Sequence, residues 1–140
     1  MSAPHRNVTR AGQVLERGIK SEDLNLYKSI TDIFMTIGIP ANIKGYKFLR
    51  EAIVATIKEQ TIINNITKKL YPRIAEQFDT TASKVERSIR HAIEVGWLRG
   101  RTSEINRLFG VTVFGHKHDR PTNGEFIALV ADKMLVDGIV

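Results

Sequence analysis

The sequence predicts an all-α fold, a compact bundle of about six helices that contains a helix-turn-helix. Three observations carry the prediction. Apolar residues recur at three- and four-residue steps in successive segments, Gly, Pro or clustered polar residues separate those segments, and no convincing pair of strands is present.

The first periodic segment follows Ser21, where Leu24, Tyr27, Ile30, Ile33, Phe34 and Ile37 fall on one helical face before Gly38 and Pro40 stop it. A second helix is expected over Tyr46 to Lys58, with Leu49, Ile53 and Ile57 inward. Asn64 and Asn65 break the pattern. Helical spacing resumes from Ile66 to Phe78, and Pro72 predicts a restart or kink because proline has no amide hydrogen and suits only a first turn.

Asp79, Thr80 and Thr81 supply capping groups for the next helix, placed from Ala82 to about Arg99 with Gly100 as its terminator. A shorter helix is expected over Thr102 to Phe109, with Ile105, Leu108 and Phe109 inward, and Val111 to Phe114 reads as extended. Thr122 and Glu125 have capping-box spacing ahead of Phe126, Ile127, Val130 and Met134, which marks a last helix. Tyr71, Phe78 and Trp97 sit at core spacing. Residues 1–20 read as a flexible lead-in or linker, and residues 21–140 as one helix-turn-helix domain.

The composition removes whole classes of function. With no cysteine there is no disulfide scaffold, thiolate metal site or cysteine nucleophile. Charged residues at 26% interrupt every apolar run before membrane-spanning length, so no membrane partner is expected and the cytoplasm is the expected location. His116 and His118 lack the further ligands a metal site needs and read as a surface loop. No cofactor motif, catalytic constellation or small-molecule substrate site is visible, and an enzyme is not expected.

The net charge of +6 is unevenly placed. Residues 65–101 carry eight basic against four acidic groups, whereas residues 21–64 carry five of each. The excess coincides with Leu70 to Trp97, a short helix, a polar turn and a longer basic helix, the order of a helix-turn-helix. Ala75 sits where close packing of the paired helices wants a small residue. At 100° per residue, Val85, Ile89, Ala92, Ile93 and Gly96 share an inward sector, leaving Ser83, Glu86, Arg87, Arg90 and Glu94 on the opposite face with Lys84 and His91 on its flank.

Lys84, Glu86 and Arg87, in the first half of this helix, are the expected base-reading residues of the major groove. Arginine and lysine donate to guanine and a carboxylate accepts from the cytosine amino group. Thr80, Thr81, Ser83, Arg90 and His91 are better placed for phosphates. Charge and spacing leave three other readings open: an RNA-binding or nonspecific nucleic-acid protein, a small enzyme pairing His91 with Glu94, and a protein-interaction module.

The segment ITKKLYPRIAEQFDTTASKVERSIRHAIEVGWLRG at 66–100 closely resembles the DNA-binding effector domain of the stage-zero A sporulation transcription factors, response regulators of endospore-forming bacteria. IGIPANIKGYKFLREAI at 37–53, LFGVTV at 108–113 and PTNGEFIALVADK at 121–133 resemble the same family in the same order. The resemblance implies a six-helix domain of a two-component system that binds double-stranded DNA at TGTCGAA-type boxes, often as head-to-tail tandem copies, and acts as activator and repressor of transcription at sporulation initiation. It also implies base reading through the positions of Lys84, Glu86 and Arg87. Contact with the RNA polymerase sigma subunit is implied at Gly100, Glu104, Asn106, Phe109 and Val113, and protomer contacts at Phe126, Val130 and Met134. Residues 1–20 do not encode a receiver domain, so an effector domain acting without one is expected. Lys84 stands where the family often has arginine, and GHKHDR at 115–120 departs from the family pattern.

Overall fold

The computed structural model describes residues 20–99, 102–109 and 120–138, and these hold six α-helices and no β-strand. They are α1 (Leu24–Ile37), α2 (Lys44–Lys58), α3 (Tyr71–Gln77), α4 (Ala82–Arg99), α5 (Thr102–Phe109) and α6 (Asn123–Val136). The expected extended stretch at Val111 to Phe114 lies outside the described residues.

Helix α1 buries Leu26, Ile30, Ile33, Phe34 and Ile37 and ends at Gly38, whose φ of 102° places it in the left-handed region. There the amides of Gly38 and Ile39 both donate to the Phe34 carbonyl, which turns the chain sharply toward α2. Helix α2 begins two residues earlier than its periodicity implied, at Lys44, because Gly45 and Tyr46 are already buried. It packs against α4 on one side and α6 on the other. Phe34 meets the edge of Tyr46 at 5.1 Å between ring centroids, tying α1 to this central helix.

The restart expected at Pro72 takes a specific form. A 3-10 stretch, Gln60–Asn65, is pinned by the buried Ile62 and leads into one wide turn, Ile66–Leu70. The Tyr71 amide closes that turn on the Ile66 carbonyl, and Pro72 then lies in the first turn of α3, where its missing amide hydrogen costs nothing. Helix α6 starts with the predicted capping box: the Thr122 hydroxyl accepts from the Glu125 amide at 3.1 Å, and the Glu125 carboxylate accepts from the Thr122 amide at 2.9 Å.

Phe126, Val130 and Met134 of α6 are fully buried and belong to the central core with Phe34, Leu49, Ile53 and Ile89. This corrects the protomer-contact assignment, since a side chain enclosed by its own chain offers no surface to a second copy. Their four-residue spacing is itself the mark of one inward stripe. Beyond its first turn, where Glu125 is exposed, α6 turns Asp132 and Val136 outward. Among the described residues, no helix is long and apolar enough to cross a membrane.

Candidate nucleic-acid interface

The connection from α3 to α4 is four residues long, Phe78 to Thr81, and each has a structural reason. Asp79 takes a φ of 53°, a conformation that short polar side chains tolerate better than other L-residues. The Thr80 amide then reaches back to the Ala75 carbonyl at 2.9 Å, and the Asp79 amide to Glu76 at 3.4 Å, closing α3 by the reversal that usually employs glycine. Thr81 starts α4, its hydroxyl accepting from the Lys84 amide at 3.2 Å. Thr81, expected at a phosphate, accepts at the cap and keeps its hydroxyl hydrogen as a donor.

Val85, Ile89, Ala92, Ile93 and Gly96, the five residues placed inward from periodicity, are the five that α4 buries. Two glycines set how closely α4 is held. A methyl group at Gly45 of α2 would overlap the backbone carbonyl of Ser88, and one at Gly96 would come within 2.7 Å of Ile39. Helix α4 therefore lies directly on the backbone of α2. Its outer face is presented rigidly, with Ser83, Lys84, Arg87, Arg90 and His91 exposed.

The structure divides the predicted reading residues between two flanks of α4. Lys84 and Arg87 open on a groove of about 430 Å³ that is also lined by Thr80 and Ser88, by Phe48 and Phe78, and by Lys44 and Lys47 of α2. Phe48 and Phe78 meet edge to face at 5.3 Å, and the Lys47 ammonium sits 5.1 Å from the Phe78 ring centroid. Among the described residues, no carboxylate lines this groove.

Glu86 faces the other flank, an open groove of about 840 Å³ shared with Thr67, Tyr71, Arg90, Arg120 and Asn123. Its carboxylate accepts from Arg90 Nε at 3.0 Å and Nη2 at 3.2 Å, a two-pronged pair one helical turn apart. The hydrogen bonds from Arg90 hold the Glu86 carboxyl below the usual range, so it stays ionised. Arg90, expected at a phosphate, is thus engaged within the chain, and Glu86 lies at the edge of the outer face rather than at its centre.

Asn123 was not foreseen as a functional residue. Its buried side-chain amide donates to the Tyr71 hydroxyl at 2.9 Å and to the Glu86 carbonyl at 3.2 Å, so one residue of α6 fastens both helices of the motif. Burial raises the Tyr71 phenol above its ordinary range, which keeps it a neutral partner. Only an asparagine at the first position of a helix is visible in sequence, and nothing there points across 52 residues to Tyr71. Arg120 also joins this flank, 3.3 Å from Glu94.

His91 Nδ1 lies 3.9 Å from Glu94 on an exposed face, and Glu94 is shared with Arg120, so the pair has neither the enclosure nor the contact distance of an acid–base couple. Among the described residues, no group of acidic or histidine side chains is placed to hold a metal ion. Of the expected polymerase contacts, Glu104 and Asn106 are partly exposed on α5, and Phe109 packs against the core. Gly100 and Val113 lie outside the described residues. The chain matches a family model described as the C terminal of the sporulation initiation factor Spo0A over residues 30–134.

Proposed function

The chain belongs to that family of Spo0A C-terminal domains, and on this footing we propose that it reads TGTCGAA-type boxes with α4 in the major groove. Members are DNA-binding transcription regulators of sporulation and not enzymes. The supporting observation is the outward face of α4: two exposed cations, Lys84 and Arg87, in its first two turns, carried on a helix whose opposite face is fully packed. Arg87 and Lys84 donate to guanine acceptors. Glu86 accepts from a cytosine amino group.

The Glu86–Arg90 pair favours this role for a carboxylate. An unpaired carboxylate is repelled by a polyanion, whereas one neutralised by Arg90 approaches it at lower cost. Two of its roughly four lone-pair positions are used by Arg90, which leaves acceptor capacity for a base. Ser83, His91 and Thr80 fix register on phosphates.

We extend the rest of the family reading to this chain as well. It acts as activator and repressor in the cytoplasm, as the effector part of a response regulator. It associates head to tail on tandem boxes through the outward side of α6, around Asp132 and Val136, and it meets the polymerase sigma subunit through Glu104 and Asn106 of α5.

Binding of the chain to a TGTCGAA duplex, a scrambled duplex and an RNA hairpin at moderate salt tests the reading. A preference for the box of at least ~10³-fold over the scrambled duplex is expected. Equal affinity for all three would overturn it.

A further inference from the structure

Lys44 and Lys47 belong to α2, outside the helix-turn-helix, yet they line the same groove as Lys84 and Arg87. Lys47 has Phe48 and Phe78 beside it, but among the described residues no counter-charge in the groove accounts for the gathering of four cations. Several cations elsewhere on this surface are matched: Arg90 by Glu86, Arg120 by Glu94, Arg73 by Glu59 and Lys58 by Asp23. None of the four has an ion-pair partner among the described residues, and no acidic residue lines the groove. Like charges gathered without counter-charges destabilise a fold, so the arrangement is best explained by an external polyanion.

We propose that Lys44 and Lys47 clamp the phosphate backbone of the duplex beside the bases that α4 reads, making α2 a second DNA-contacting element. The inference rests on the proposed reading by α4 and extends its footprint. Three features favour a backbone contact over a base contact. The lysines stand on a neighbouring helix rather than on the face that enters the groove. Lysine ammoniums act as point charges, suited to a phosphate, while Arg87 has the fork that suits a base. The Gly45 crossing also fixes Lys44 and Lys47 relative to Ser88, so both helices engage the duplex as one rigid body. An adjoining groove continues the same surface past Lys44, Arg87 and Ser88 to His91, as expected for a track along a strand.

The test is the salt dependence of binding to the box duplex and the scrambled duplex, with Lys44→Gln and Lys47→Gln combined in the full chain. Each lost phosphate contact lowers the slope of log K against log salt by ~0.9, so a loss of ~1.8 is expected. Affinity should fall by the same factor on both duplexes, on the order of 50-fold at about 0.1 M salt, and the ratio between them should hold. Lys28→Gln with Lys58→Gln removes equal charge elsewhere and should leave the slope near the parent value. Because Lys47 also packs on an aromatic ring, Lys44→Gln alone, which disturbs no ring, gives an independent reading and should lose ~0.9 of slope.

A parental slope in the double variant, or an equal drop in the control pair, overturns the clamp while the box preference of the parent chain stands. A changed ratio between duplexes overturns the backbone-only role of these lysines. Loss of box preference in the parent chain overturns the reading by α4, and the clamp with it.

Discussion

On one flank of α4, Lys84 and Arg87 join Lys44 and Lys47 around a groove with no carboxylate in its lining, while on the other Arg90 and Arg120 are each held by a glutamate. The two flanks belong to one helix and differ in what surrounds them. The matched flank is also the hydrogen-bonded one, where Asn123 ties α6 to Tyr71 and to the Glu86 carbonyl. The unmatched flank is held by close backbone packing at Gly45 instead. The contrast teaches that orientation and charge are separated: one side of the helix is fixed by polar bonds that satisfy each other, and the other carries charge with no acidic residue in its groove.

The largest expected effect comes from wedging the unmatched flank open. Gly45→Ala places a methyl group on the Ser88 carbonyl and should cost about 3 kcal/mol of stability, measured by urea unfolding, because backbone cannot yield as a side-chain tip can. An unchanged midpoint would show that the helices separate freely and that the rigid relation between flanks is illusory. Next in size is Arg87→Ala, which should lose ~1–3 kcal/mol on the box duplex and relax discrimination at one base pair. Untouched affinity and preference would remove Arg87 from the reading set.

The matched flank is expected to respond in stability rather than in salt dependence. Asn123→Ala leaves the buried Tyr71 hydroxyl without its donor and should cost about 1–2 kcal/mol, seen in thermal unfolding, with the salt slope of DNA binding unchanged. A lowered slope would erase the distinction between the flanks. The smallest effect concerns the exposed Glu86–Arg90 pair. A carboxylate whose folded pKa is depressed adds stability above its unfolded pKa, and that contribution disappears as pH falls through the folded value. Following the Glu86 carboxyl by NMR should therefore show it titrating below the ordinary range, and back toward that range in Arg90→Ala.

Much of α4 was legible in advance. Five inward residues over about three turns of α4 give a periodic signal that tertiary packing had no reason to override, and Thr122 with Glu125 announced α6 through chemistry confined to four residues. The wide turn at Ile66–Leu70 was visible only as an irregularity at Pro72, since backbone hydrogen bonds of that register leave no side-chain pattern.

Other features depend on contacts between distant segments. The periodicity of α2 marked Leu49, Ile53 and Ile57 as inward, but no pattern within α2 says that Lys44 and Lys47 open beside Lys84. Glu86 is separated from the central outward residue, Arg87, by a full 100° step, and local reasoning could not foresee that Arg90 would take up its carboxylate. The protomer assignment at Phe126, Val130 and Met134 failed for a different reason. It was carried over from the resemblance, although the stripe those residues form points to the interior.

The contact at Gly45 turns the pair of helices into something like a caliper. With the backbone of α2 seated on that of α4, the spacing between the backbones that carry Lys44 and Arg87 is fixed, so on the proposed mode of binding only their side chains can adjust to the duplex. The duplex must fit the jaws instead, and steps that widen or narrow the groove cheaply would then alter affinity at base pairs no side chain touches. A single hydrogen atom in place of a side chain would thus make the protein sensitive to the shape of DNA as well as to its letters.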